Sequence, residues 1–402
     1  MTKQRTVVVG VDTHAETHHA AVLDTATGEL LADQQFRADP EGYAALAAFA
    51  AAHGTPARFG VEGTNSYGAG LARHLRQSGY DVAEIIRPNR AARRLRGKSD
   101  PLDALAAARE ALARDDLPAP KHGDGPVESI RVLHLVRGSA VKAKANVLRQ
   151  IKAVLVTAPA GLRDKLARLS EKALLDALRR ARPAAVSTGP EAATATALRH
   201  LARRHQVLTA EIDEATDQLR TLVQAAAPAL LATKGIGVVT AAQLLITAGD
   251  NADRIKSEAA FAALCGASPL QASSGKTTRH RLNRGGDRQA NAALHQIALT
   301  RMSSESRTKA YVQKRTSEGK SPREATRCLK RAIAREVYRI LTNPPTTASI
   351  EDLRPQRLTH GLTLQAAATH LGVQPARISE LERGKLHDTA LTNAYRQWLN
   401  AA

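Results

Sequence analysis

The sequence predicts an α/β or α+β domain over residues 1–115, then a mainly helical remainder that ends in a small all-α unit. Three observations carry this. Short strand-like apolar runs fall early and alternate with helical patterns. Long 3.6-periodic stretches rich in Leu, Ala and Arg occupy the middle. Proline-rich polar segments at 115–126 and 344–355 separate the regions.

Taken in order, TVVVGV (6–11) reads as a buried strand. HHAAVLD (18–24) and residues 29–36 give two more, with a turn at Thr27-Gly28. Residues 40–53 are helical in pattern, 57–62 strand-like, 67–78 helical and 81–86 strand-like. A helix begins at Asp100, with Pro101 in its first turn. DDLPAPKHGDGP (115–126) is a linker by composition. Residues 127–182 and 192–226 carry long helical patterns, interrupted by ARPAAVSTGPE (181–191). They predict an antiparallel helical arm over 127–226, a coiled coil with irregular heptads.

A third region, 227–343, opens with KGIGVVTAAQLL (234–245). Two glycines around Ile236 ahead of an amphipathic helix fit either of two readings. One is a helix-hairpin-helix turn that offers backbone N–H groups to a DNA phosphate; the other is an ordinary glycine turn. A short helix (258–265), a loop with Ser273, Ser274 and Gly275, and a basic run, KTTRHRLNRGGDRQ, come next. Two further helices start at Ala290 and Pro322. PPTTASIEDLRP (344–355) reads as a second linker, before a compact helical unit at 356–402.

A chain of 402 residues allows two to three domains with ample core. No uninterrupted apolar run reaches the roughly 18 residues of a membrane span, and the N-terminus enters a strand-like run directly, so no membrane segment or signal peptide is expected. Only Cys265 and Cys328 are present. That is neither a disulfide framework nor a zinc spacing, and it fits a cytoplasmic protein. The net charge of +20 points to a polyanionic partner. The charge is uneven: residues 1–125 hold 15 Lys and Arg against 16 Asp and Glu, and the remainder 43 against 22. A polyanion-binding surface is therefore expected beyond residue 125, and acid chemistry before it.

Four carboxylates in that neutral part stand out. Asp12 ends the first strand in VGVD, and Glu62 ends a later one in FGVE. Asp100 and Asp103 form a D-x-x-D pair at a helix start, in KSDPLDA. Residues i and i+3 share a helix face, so both carboxylates can point one way. Strand-end acids beside such a pair suit two divalent cations, Mg²⁺ or Mn²⁺, which take oxygen ligands and can stabilise attacking and leaving oxygens on a phosphodiester. Singly, each acid is equally well a turn or cap residue.

VGVDTHAETHHAAVLD, FGVEGT and KSDPLDA together resemble the RuvC-like (ribonuclease-H-like) N-terminal domain of DEDD transposases of the insertion sequence 110 family. KGIGVVTAA and FAALCGASPLQASSGKTTRHRLNRGGDRQANAALHQIA are similar to that family's C-terminal transposase domain. The two matches occur in the expected order and span roughly residues 6–340. One departure is Ala15, where the family usually carries Lys. The resemblance implies a serine nucleophile directly before a glycine, here Ser274, with Ser273 as the fallback. It implies that this serine acts with the acidic metal site on DNA, in a homodimer or homotetramer whose subunits complete one another's sites. It also implies a structured bridge RNA that pairs with target and donor DNA. Lys276, Arg279, Arg281, Arg284 and Arg288 would hold phosphates. Two rival readings remain: a Holliday-junction-type nuclease using metal-activated water, and a DNA-binding regulator without catalysis.

LTLQAAATHLGVQPARISELERGK (362–385) resembles a Cro-type helix-turn-helix. Its first helix would be 363–370, its turn Leu371-Gly372-Val373, and its recognition helix 374–382. Ala367, Leu371, Val373, Ile378 and Leu381 would form the core. Gln374, Arg377 and Ser379 would meet DNA. Leu364 departs from the pattern, where Gln is common.

Overall fold

A computed structural model describes residues 5–86, 99–182, 189–273, 275, 280–281, 283–345, 350–384, 386 and 388–401. It divides into two compact units: Met1–Glu128 with Ala248–Phe261, and Ser129–Thr247 with Ala262–Ala402.

The first unit is built on a mixed five-stranded sheet. Its strands are β1 (Thr6–Thr13), β2 (Thr17–Asp24), β3 (Leu30–Arg37), β4 (Thr55–Glu62) and β5 (Val82–Ile85), in the order β3-β2-β1-β4-β5. The β1, β2 and β3 strands meander antiparallel, and β4 and β5 run parallel to β1. This is the expected ribonuclease-H-like arrangement. The central β1 is buried along Val7–Thr13, which is why it reads as an unbroken apolar run rather than an alternating one. Helices α1 (Pro40–His53) and α2 (Ala69–Gln77) pack with Leu46, Phe59, Leu71 and Leu75 in one core. Asp39 caps α1 by accepting from the Gly42 N–H at 2.8 Å.

Helix α3 (Asp100–Ala113) packs against the sheet, and two glycines set its distance. A Cβ on Gly10 would lie 2.0 Å from the Ala108 nitrogen and 2.2 Å from the Ala104 carbonyl oxygen. A Cβ on Gly60 would lie 2.7 Å from the Ala111 Cβ. The facing ridge of α3 is Ala104, Ala107, Ala108 and Ala111, all buried. Alanine opposite glycine lets helix backbone approach strand backbone as closely as the chain allows.

Of the segment expected to be a linker, 115–126, residues 115–125 form neither helix nor strand, yet they are tied down. Its carbonyls accept from the Glu84 N–H (Pro118, 2.8 Å), Asn251 Nδ2 (Pro120, 3.0 Å) and Arg76 Nη1 (His122, 3.2 Å). Composition showed the loop residues but not the remote donors that anchor them.

In the second unit the arm is antiparallel. Helix α4 (Pro126–Val156) returns through α7 (Pro190–Ala226), with Arg137 Nε donating to Thr216 Oγ1 at 2.8 Å. Farther along, Val147, Ile151 and Leu155 share a core with Leu198 and Ala202. The predicted helical run 127–182 is not continuous. It breaks into α4, α5 (Ala160–Leu166) and α6 (Glu171–Arg180), because Pro159 cannot continue a helix and Ser170 caps the next one. The short α8 (Pro228–Leu231) leads to α9 (Val238–Ala248), with Gly235 left-handed at φ +83°. After α10 (Glu258–Leu264), a two-stranded hairpin pairs β6 (Leu270–Gln271) with β7 (His280–Arg281). Then come α11 (Arg288–Ser304), α12 (Ser306–Ser317) and α13 (Pro322–Thr342). The hairpin and α12 have no counterpart in the sequence reading; the strands are two residues long and α12 is mostly polar.

The C-terminal helices are α14 (Leu353–Thr359), α15 (Leu364–Leu371), α16 (Pro375–Glu382) and α17 (Thr389–Ala401). Ala367, Ile378, Leu381 and Tyr395 are fully buried in their core, and Leu371 and Val373 pack against it. Gly372 takes the left-handed turn at φ +63°. This bundle begins inside the expected second linker: Leu353 is fully buried, and Arg357 pairs with Glu382 at 2.7 Å.

Candidate functional site

The carboxylates are placed by the backbone features just described. Gly10 and Asp12 are two apart on β1 and face the same side, as are Gly60 and Glu62 on β4. Each strand thus presents a glycine against α3 and, two residues on, an acid on the same side. The β1–β4 register ends at Val11↔Val61, so Asp12 and Glu62 are neighbours one residue beyond it. Thr13 Oγ1 donates to the Glu62 carbonyl at 2.9 Å and joins the two strand ends. Ser99 is the N-cap of α3, so Asp100 is its first residue rather than the cap, and its carboxylate is available to the site.

Asp12 is buried, 6% exposed, and Asp103 is 2% exposed. Asp12, His14 and Asp100 offer ligand atoms within 4.8 Å of one another. His14 Nε2 lies 3.1 Å from Asp12 Oδ2 and 3.3 Å from Asp100 Oδ1, so an imidazole bridges the two carboxylates. Glu62 and Asp103 sit on the adjoining strand end and one helical turn along, outside that 4.8 Å set. The sequence reading passed over His14. The available signal was its place two residues after Asp12, just past the end of β1. Behind the site His18 is fully buried, stacked on Tyr43 with centroids 5.6 Å apart, and burial holds its pKa below the ordinary value. Its Nδ1 donates to the Thr17 carbonyl, and Nε2 has no partner.

Two carboxylates and an imidazole in reach of one point, with two more acids adjoining, form a donor set for a divalent cation.

The expected nucleophile Ser274, with Lys276 and Arg279, lies outside the described residues. Ser273 is exposed. Arg281 on β7, Arg284, and Arg288 at the first position of α11 are all exposed. Asp287 caps α11 and accepts from Gln289 N at 2.8 Å and from Thr247 Oγ1 at 2.7 Å, which fixes the end of the basic run. In the C-terminal bundle Gln374 is exposed at the N-cap of α16, and Ser379 is half-buried. Arg377 is exposed but paired with Asp388 at 2.8 Å. The Gly237 N–H, one of those a hairpin could offer to a phosphate, donates to Thr240 Oγ1 at 3.0 Å.

Residues 9–158 match the family model described as a transposase of the DEDD, insertion sequence IS110 type. Residues 227–313 match the model described as transposase, IS116/IS110/IS902 family. The first match takes in all four carboxylates and His14, and the second takes in the serine loop and the basic run. No curated protein matches the chain.

Proposed function

The chain belongs to the IS110/IS116/IS902 family of transposases, enzymes of DNA transposition, and on that premise we propose that it cuts and rejoins DNA with a divalent metal and a serine nucleophile. The observation that carries the metal half is the convergence of Asp12, His14 and Asp100 within 4.8 Å, at a strand end and a helix start inside the DEDD match.

Asp12, His14 and Asp100 would hold the cation, with Glu62 and Asp103 as the adjoining acids that would complete its oxygen donors. When bound, Mg²⁺ or Mn²⁺ supplies Lewis-acid stabilisation of charge on the phosphodiester. The buried Asp12 and the tight seat of α3 keep the ligands in register, which is what this part of the protein contributes. Ser274 is the proposed nucleophile. Its hydroxyl gives up a proton as Oγ bonds to phosphorus, and the leaving strand oxygen takes a proton as its bond to phosphorus breaks. The phosphoserine ester conserves the bond energy for rejoining, when a strand hydroxyl displaces Oγ. The exposed Arg281, Arg284 and Arg288, with Lys276 and Arg279, neutralise the backbone. Assembly of two or four copies, a structured guide RNA, and DNA contact by Gln374, Arg377 and Ser379 complete the reading; for Arg377 this requires opening its pair with Asp388.

The test is recombination of a plasmid carrying the element's ends. Asp12→Ala and Ser274→Ala should each abolish product, and His14→Ala should lower it. Full activity of Ser274→Ala moves the nucleophile elsewhere and favours metal-activated water. Sequencing the nucleic acid that copurifies tests the guide: a single structured RNA supports it, and no specific RNA removes it.

A further inference from the structure

The helical unit contains a cleft of about 1090 Å³ to which the family match gives no role. It is lined from the 266–269 turn, the His280–Arg281 strand, α12 and α13. Among the described residues, seven Lys or Arg side chains line it, against one carboxylate, Glu324. Glu324 is committed to the start of α13. It accepts from the Ser321 N–H at 2.9 Å and the Ser321 hydroxyl at 2.8 Å, in a capping box. Arg315 is matched by Glu318 at 2.8 Å.

Lys330 sharpens this. It is 8% exposed, and its hydrogen bond goes to the neutral Asn291 Oδ1. Among the described residues no carboxylate lies within ion-pair distance of it. Burial, and then the neighbouring Arg327, push its pKa below the ordinary value. A buried ammonium among like charges is costly unless an anion joins it. Asn291 also donates to the Cys265 and Gly266 carbonyls at 2.9 and 3.0 Å, so Lys330 and the turn at the cleft's edge are held by one side chain. Arg327, Arg331 and Arg335 follow at intervals of four on α13 and share a face. At 1.5 Å per residue they form a cationic row about 12 Å long. A row of that length is made for a chain of phosphates, since a lone phosphate would meet only one end of it.

We propose that this cleft binds the phosphodiester backbone of a nucleic-acid strand, with Lys330 as its buried anion contact and Arg327, Arg331 and Arg335 tracking the following phosphates. The proposal rests on the reading of the chain as a nucleic-acid enzyme. It adds a site outside the carboxylate cluster that shares Arg281 with the basic run after the serine loop.

The experiment measures binding of the full-length protein to labelled 20-nucleotide single strands, one DNA and one RNA, across a salt series. Arg327→Gln/Lys330→Gln removes two phosphate contacts. It should flatten the slope of log affinity against log salt by about 1.4 and weaken binding roughly 25-fold at 0.1 M salt. Whichever strand shows the loss is the occupant. Arg203→Gln/Arg204→Gln, an equal charge change at exposed positions of α7, is the control and should lose much less. Arg327 is exposed, so Arg327→Gln alone keeps the test intact if the buried Lys330 change disturbs folding; it should cost about fivefold. Unchanged binding of both strands, or an equal loss in the arm control, overturns the cleft. A parent protein that binds neither strand overturns the wider nucleic-acid reading as well.

Discussion

Gly10→Ala isolates the packing that places the acidic site. The new Cβ would stand 2.0 Å from the Ala108 nitrogen and 2.2 Å from the Ala104 carbonyl oxygen. Both are helix backbone atoms, which cannot swing aside as a side chain can. Restoring ordinary contact near 3.4 Å moves α3 off the sheet by about 1.4 Å. Overpacking of this kind costs about 1–3 kcal/mol, and the fold should survive it. The site should not survive it. Asp100 and Asp103 ride on the displaced helix while Asp12 stays on β1 and His14 just past its end, and metal ligands tolerate only a few tenths of an ångström. The assay is calorimetric titration of Mn²⁺ into parent and variant, with a thermal melt of each. Binding should weaken at least tenfold in Gly10→Ala, with a lowered Tm. Gly138→Ala is the contrast: Gly138 is inside α4 with nothing within 4 Å of its would-be Cβ, so this change should stabilise by about 0.5–1 kcal/mol and leave Mn²⁺ affinity alone. Parent-like Mn²⁺ affinity in Gly10→Ala would refute the argument that close helix seating builds the site.

Three further outcomes follow from named contacts. Electron spin-echo spectra of bound Mn²⁺ should show nitrogen coupling that disappears in His14→Ala, whereas coupling that persists would assign the nitrogen to another residue. Glu382 is buried; burial opposes its ionisation, but hydrogen bonds from Arg357 and Tyr395 outweigh this and hold its pKa below the usual carboxylate range. A depressed pKa gives stability that is present above the unfolded carboxylate value, near 4.3, and lost as pH falls through the folded one. Fluorescence of Trp398, the only tryptophan, should therefore report acid unfolding of the C-terminal bundle below about pH 4, and Glu382→Gln should destabilise it by about 3–5 kcal/mol through the stranded Arg357. Cys265 is buried, and burial, with Asp287 nearby, pushes its thiol up to about 12. It should resist thiol reagents at neutral pH until the protein unfolds, and labelling in the native state at the rate of a free thiol would contradict its placement.

Much of the fold was legible because its signals are local. The buried β1 shows as an apolar run, α1 lies where its periodicity places it, and Gly372 marks the turn of the C-terminal bundle. What escaped depends on partners distant in sequence. Residues 115–126 look like a free linker until Asn251 and Arg76 are seen to hold their carbonyls. The bundle starts before its predicted edge because Leu353 is buried in its core and Asp352 pairs with Arg396, 44 residues on. At the candidate site the four acids were visible as strand-end and helix-start residues. The glycines two residues before Asp12 and Glu62, and the alanine ridge they receive, were equally visible, but only the packed structure shows their purpose. The charge imbalance showed that the basic surplus lies beyond residue 125. It could not show that Lys330 is buried within it.

The central claim is that the acidic metal site and a serine act in one DNA recombination reaction. It is tested most directly by incubating the protein with DNA carrying the element's ends and Mn²⁺, denaturing, digesting, and mapping nucleotide-modified peptides by mass spectrometry. The account predicts a nucleotide on Ser274 that is absent from Asp12→Ala and from metal-free reactions. Strand-joined products without any protein-linked nucleotide would contradict it.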